Sequence, residues 1–162
     1  TDGDGELLLL ADFEEPDVLS LSLDKKGNVY AGTSASGTIY RIAPSGDKST
    51  FFETGENYIW ALVSDSEGNL YAGTGSTGKI YKISADGSGD VLYDSPETHI
   101  VSLIRGHDNS LYAGGEGSGI VYKISPEGEP FVLYDAAEAE VRCLAIDAEG
   151  ILYAGAMSGG VR

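Results

Sequence analysis

The chain is poor in most of the residues that carry chemistry: its 162 residues include one cysteine, one tryptophan, one methionine and two histidines. A lone cysteine, Cys143, excludes an intrachain disulfide. Its place in an inner strand predicts a small buried apolar side chain rather than a nucleophile. Ten Lys and Arg stand against 26 Asp and Glu, a net charge of −16. That balance argues against a nucleic-acid partner, because phosphate recognition rests on clustered cations. It would also repel an anionic membrane, and it leaves basic partners and divalent cations open. The longest aliphatic run is Leu7–Leu10, far short of the roughly 18–20 residues of a membrane span. No segment keeps a 3.6-residue period, so no helix is predicted. There is no signal-peptide pattern, and the chain begins at Thr1, which reads as a processed form or a piece of a longer protein. The compartment stays open.

What the chain does have is a period of 41 residues. Tyr30, Tyr71, Tyr112 and Tyr153 follow it, as do Gly37, Gly78, Gly119 and Gly160. So do Glu15, Glu56, Glu97 and Glu138, and Leu21, Leu62, Leu103 and Leu144. A fixed period near 40 built from short β-like runs marks a propeller or a solenoid. The second unit shows the plan: apolar Ile59–Ser64, a turn, Asn69–Thr74, a glycine-rich turn, Lys79–Ser84, a turn, and Asp90–Tyr93. Four strands, a to d, fit a meander. Strand a is apolar on both faces, since Ile59, Ala61 and Val63 alternate with Trp60 and Leu62. Both faces therefore require cover, which sheets stacked around an axis supply with strand a innermost. The Ala-Gly pair of strand b would let neighbouring sheets approach near that axis, and the Tyr before it would fill the wider gap outside.

The pattern D-x-x-G-N-x-Y-A-G occurs at Asp24–Gly32 and Asp65–Gly73, each followed by G-x-I-Y. It resembles NHL-type and two-component-regulator-type β-propeller repeats over essentially the whole chain. The resemblance implies architecture and leaves activity open, since such propellers serve as enzymes, sensors and platforms. In the third unit Gly106-His107-Asp108-Asn109 replaces D-x-x-G, which predicts an altered turn.

The expected fold is one all-β propeller domain of four four-stranded blades, over 18–54, 59–95, 100–136 and 141–162 plus 1–12. The run 6–11 aligns with strand d, and Gly160-Val161-Arg162 with the start of strand c. An N-terminal strand would thus complete the last blade or a partner's blade, hiding an open edge. A closed four-bladed ring, a homodimer forming an eight-bladed ring, and a piece of a longer propeller all satisfy this. Compact 41-residue blades favour the half-ring.

Gly73-Thr74-Gly75-Ser76-Thr77-Gly78-Lys79 resembles phosphate-binding loops, but a strand follows instead of a helix and the other units repeat the loop as an ordinary turn. His99 precedes a strand a and His107 follows it. Roughly 20 Å of strand separates such positions, so the two cannot share a metal or a triad. The column just before strand a varies while the glutamates two residues earlier are constant: Asp17, Tyr58, His99 and Glu140, with Trp60 and Arg142 two residues inside. Loops d–a and b–c surround one channel mouth, so these six are the candidate ligand-binding residues. The plainer reading has Trp60 packing between blades and Arg142 pairing with Glu140 or a neighbouring acid. Glu15, Glu56, Glu97 and Glu138, with Asp12, Glu53, Asp94 and Asp135, form an acidic column fit for calcium. Backbone N–H bonds within each d–a loop explain the repetition more simply.

The resulting expectation is a non-enzymatic scaffold that binds a protein or small ligand on this face, with no required cofactor. The alternative is an enzyme resembling propeller lactonases or lyases, with His99 as acid–base and carboxylates holding a metal.

Overall fold

A computed structural model describes residues 8–158. Fourteen strands follow the 41-residue step. Unit 1 holds β1 (Val18–Leu23), β2 (Val29–Thr33), β3 (Thr38–Ile42) and β4 (Lys48–Glu53). Unit 2 holds β5 (Tyr58–Ser64), β6 (Leu70–Gly75), β7 (Lys79–Ile83) and β8 (Gly89–Asp94). Unit 3 holds β9 (His99–Arg105), β10 (Leu111–Glu116), β11 (Ile120–Ile124) and β12 (Pro130–Asp135). Unit 4 holds the hairpin of β13 (Glu140–Ile146) and β14 (Leu152–Met157). Within each unit the pairings are antiparallel and between chain neighbours. Single residue pairs join units 2, 3 and 4 into a ten-stranded whole.

The first strands β1, β5, β9 and β13 pack one against the next. They are the inner edge of a fan. Ile59, Ile100 and Val141 on these strands are fully buried, and each presses on a glycine of the preceding unit: Gly32, Gly73 and Gly114. A Cβ on any of the three would come within 2.8 Å of the opposing side chain. The expected close approach at the Ala-Gly pair is thus a knob-in-hole contact repeated three times. Farther out, Tyr30, Ile39, Phe51 and Phe52 of unit 1 face Leu62, Leu70, Ala72, Tyr81 and Ile83 of unit 2. Tyr71, Ile80, Leu92 and Tyr93 face the matching residues of unit 3. Burying such side chains contributes about 1.5–3 kcal/mol each, so the inter-unit layers hold the fan together. Gly37 and Gly78 serve two needs: each has positive φ (59° and 61°), and each abuts the carbonyl of the next unit's d–a glutamate.

Several expectations are corrected. Cys143 is exposed, on the flank of unit 4 that no other described unit covers. The third turn keeps its backbone: Gly106 N–H bonds the Ser110 carbonyl (2.9 Å), as Asp24 N–H bonds that of Asn28 (3.1 Å). Asn109 takes the left-handed position (φ 64°) that Gly27 and Gly68 hold elsewhere. Only the carboxylate moves, to Asp108, which accepts from Ser110 N–H. Leu8–Ala11 of the expected N-terminal strand are not in a strand, and Glu6 and Leu7 lie outside the described residues, as do Gly160–Arg162. Leu10, Ala11 and Phe13 instead form a strap along the outer flank of unit 1, beside Val29, Ala31 and Ile42. Phe13 meets the Tyr40 ring edge-on at 5.3 Å. Among the described residues β1 does not pair with β13 or β14, so the arc is open.

Candidate functional site

The ladder pairs at one end of the inner strands run in a single row. Ser34 N–H bonds the Asp17 carbonyl (3.1 Å) and Ser34 pairs with Tyr58. Tyr58 pairs with Gly75, and Gly75 with His99. His99 pairs with Glu116, Glu116 with Glu140, and Glu140 with Met157. All four residues of the varied column therefore stand in one arc, alternating with the ends of the b strands. Those alternating residues, Ser34, Gly75, Glu116 and Met157, were not singled out from sequence. They too lie 41 apart and vary, between repeated glycines two residues before (Gly32, Gly73, Gly114, Gly155) and three residues after (Gly37, Gly78, Gly119, Gly160), and that was the signal available.

Unit by unit, the arc changes character. Asp17 is exposed, its carboxylate accepting from Ser34 Oγ at 3.2 Å. Tyr58 and Trp60 are half-buried and stacked, with centroids 5.1 Å apart and planes at 27°. Trp60 Nε1 donates to His99 Nδ1 at 3.1 Å across the joint between units 2 and 3. The Tyr58 ring is also edge-on to His99 at 6.0 Å. Gly75 makes the cluster possible: a Cβ there would overlap the His99 ring and lie 2.7 Å from Trp60 Nε1. Glu140 is only 5% exposed and pairs with the exposed Arg142 guanidinium at 2.5 Å. The structure thus brings Tyr58, Trp60 and His99 into one group, and Glu140 with Arg142 into another. Asp17 belongs to neither.

The repeated glutamates have a different job. Glu15 accepts from Tyr40 OH (2.6 Å) and Ser36 Oγ (3.3 Å). Glu56 accepts from Thr77 Oγ1 (2.7 Å) and Lys79 Nζ (3.1 Å). Glu97 accepts from Ser118 N–H (2.8 Å) and Tyr122 OH (3.2 Å). Each ties its d–a loop to the b–c loop and third strand of its own unit, 21 to 25 residues on. The expected bonds within the d–a loop are replaced by these longer ones. Burial and the Glu97 charge push the Tyr122 hydroxyl up, while Tyr40 is pushed up to about 12, chiefly by its bond to Glu15. Among the described residues no group of three or more His, Cys, Asp or Glu is placed to hold a metal ion.

Comparison with known proteins agrees with the fan. The family profile described as two component regulator propeller matches residues 55–76. A streptogramin B lyase structure superposes with a TM-score of 0.79 at 15% identity, over 89% of this chain and 49% of that one. This is a β-propeller repeat protein. The propeller also superposes on virginiamycin B lyase from Staphylococcus aureus, with a TM-score of 0.73 at 17% identity, over 88% of this chain and 50% of the other. A third match is the extracellular domain ascribed to a hybrid two component system from B. thetaiotaomicron, with a TM-score of 0.69 at 18% identity. It covers 86% of this chain and 19% of that one. The chain therefore spans about half the length of the lyases it matches. Among curated protein sequences no match is found.

Proposed function

We propose that the chain is four blades of a β-propeller acting as a binding module, with the arc from Asp17 to Met157 as its recognition face. The observation that carries this is the Tyr58–Trp60–His99 group. Large aromatic side chains stay half-exposed at the inner rim of the fan, in a column that is otherwise acidic, and a glycine clears their space. Stacked aromatics offer a flat apolar surface with polar edges, the usual anchor for a small ligand or a protein side chain. Glu116, Glu140 and Arg142 stand one unit away as polar contacts that fix orientation.

The alternative, a lyase- or lactonase-like enzyme, draws on the two lyases among the structural neighbours. Two observations weigh against it. His99 uses its Nδ1 lone pair on Trp60, so the neutral ring carries its proton on Nε2 and offers no free base. Glu15 and Glu56 each commit Oε1, and Glu97 both of its oxygens, to their own loops.

Trp60 is the only tryptophan, so its emission reports on this face alone. Titration with a panel of aromatic, sugar and peptide ligands should find a class that saturably changes that emission. Tyr58→Ala should abolish the response. A panel without any saturable change, or turnover of a ligand that His99→Ala removes, overturns the binding-module reading.

A further inference from the structure

The cations of the fan are sorted to one of its two edges. Of the nine Lys and Arg among the described residues, seven stand in the a–b and c–d turns or at the strand ends beside them, away from the recognition arc. Only Lys79 and Arg142 stand on the arc's edge, and each is held by a carboxylate, Glu56 at 3.1 Å and Glu140 at 2.5 Å. The acids are not sorted in this way. Asp17, Glu116 and Glu140 stand in the arc itself, and Glu53, Asp94 and Asp135 end the fourth strands beside it. Among the described residues neither Asp17 nor Glu116 lies within ion-pair distance of a cation.

The aromatic group lies inside this negative field, at the joint of units 2 and 3. Tyr58 and Trp60 are stacked and half-buried. Asp17 is reached from them through Ser34 on one side, and Glu116 through Gly75 and His99 on the other. The face of an aromatic ring is the negative part of its quadrupole, and tryptophan draws a guanidinium or ammonium most strongly. Rings and carboxylates therefore favour the same ligand charge, and an anionic group meets repulsion along the whole arc. Residues paired across antiparallel strands lie roughly 4.5–5.5 Å apart. Asp17 is two such steps from Tyr58, about 10 Å, and Glu116 is three steps on the other side, about 15 Å. One small cation does not reach all three. An extended polypeptide, advancing ~3.3 Å per residue, passes them with side chains about three and four to five residues apart.

We propose that the arc seats an extended basic segment of a protein partner, with one arginine side chain on the Tyr58–Trp60 rings and further cations beside Asp17 and Glu116. This rests on the binding-module reading above and names its ligand. The chain carries one instance of the same chemistry: the largely exposed Arg142 guanidinium lies on Glu140 at the next joint of the fan. Arginine suits the ring seat better than lysine, because its planar guanidinium stacks on aromatic faces and is more weakly hydrated.

The probe is a Gly–Ser peptide of about nine residues with arginines roughly three and four residues apart, titrated into the chain while Trp60 emission and binding heat are followed. Its comparators are the same peptide with glutamine for arginine, argininamide, spermidine and a neutral oligosaccharide. The arginine peptide should saturate the Trp60 emission and lose affinity as salt is raised, with the glutamine peptide at least about a hundredfold weaker. Tyr58→Ala should weaken the arginine peptide more than about tenfold, through loss of the ring seat. Asp17→Asn and Glu116→Gln should each weaken it about two- to fivefold, as exposed ion pairs do. Both acids are at least partly in water, so folding is kept. Glu127→Gln combined with Glu129→Gln removes the same charge from the opposite edge and should leave binding unchanged. Equal weakening by that pair overturns the proposal, since the peptide then follows net charge alone. So does a glutamine peptide that binds as well, or argininamide or spermidine binding as tightly as the arginine peptide. Saturation by the oligosaccharide alone overturns the basic-segment assignment and leaves the binding module standing. Emission that no ligand changes saturably overturns both.

Discussion

Trp60 donates its indole N–H to Nδ1 of His99, and the two residues belong to different units of the fan. The bond ties the inner strands of units 2 and 3 together at the rim where recognition is proposed. It exists because Gly75, paired with both Tyr58 and His99, has no side chain to occupy the same space.

Gly75→Ala should therefore displace the His99 ring. Overpacking of this kind costs about 1–3 kcal/mol, to be read from urea unfolding, with a change in Trp60 emission in the folded protein. His99→Ala should alter the emission while costing less than about 1 kcal/mol, since the half-buried indole N–H turns to water. Equal stability losses in the two variants would mean that Gly75 matters for another reason.

Glu97 is 3% exposed and satisfies the Tyr122 hydroxyl and the Ser118 N–H. Glu97→Ala should cost about 2–3 kcal/mol, the penalty of leaving buried donors unpaired. Denaturant midpoints will show it. If the glutamates hold only their loops, calcium leaves the thermal midpoint unchanged; a rise that saturates with calcium would restore the carboxylate ring as a metal site.

Arg142 is the partner of the buried Glu140 carboxylate, though Arg142 itself is largely in water. Arg142→Ala should destabilise by about 1–2 kcal/mol, a buried-pair loss discounted for solvent screening of the guanidinium. Glu140→Gln added to Arg142→Ala should recover most of that loss, because no charge remains to be paired. Simple additivity of the two changes, measured by thermal melts, would show that the pair is not coupled.

The turn aspartates set the acid limit of the fold. Burial alone would raise Asp24 and Asp65, but bonds from Asn28 and Asn69 outweigh it and hold both below the ordinary 3.8. Lys123 at 2.7 Å holds Asp108 down to about 2, and the Ile151 N–H lowers Asp147. A native carboxylate value below the unfolded one means that the charged form is favoured on folding. These contributions are whole above 3.8 and disappear as pH falls through the lowered values, for Asp108 through about 2. Far-ultraviolet circular dichroism should show an acid transition below 3.8 that flattens in Asp65→Asn. A transition above the ordinary carboxylate range would place the acid sensitivity elsewhere.

Much of the architecture was legible because a repeat reports itself through spacing. The strands of unit 2 were read to within about a residue of their ends, and the tight approach at the Ala-Gly pair was inferred from size alone. The varied column was legible as well, but only half of the arc was seen. Ser34, Gly75, Glu116 and Met157 sit 17 residues downstream of it, and nothing in a linear pattern says that the end of one strand pairs with the start of another in the next unit.

By itself the amino-acid order determined the period, the all-β character, the four-strand unit and the residues that differ between units, because local alternation and turn chemistry act over a few residues. Tertiary structure decided which of those residues meet. It joined Trp60 to His99 and bound Glu15, Glu56 and Glu97 to loops 21 residues away. Such contacts depend on how one unit rotates against the next, a relation carried by side-chain packing across the inter-unit layer and by no spacing within a unit.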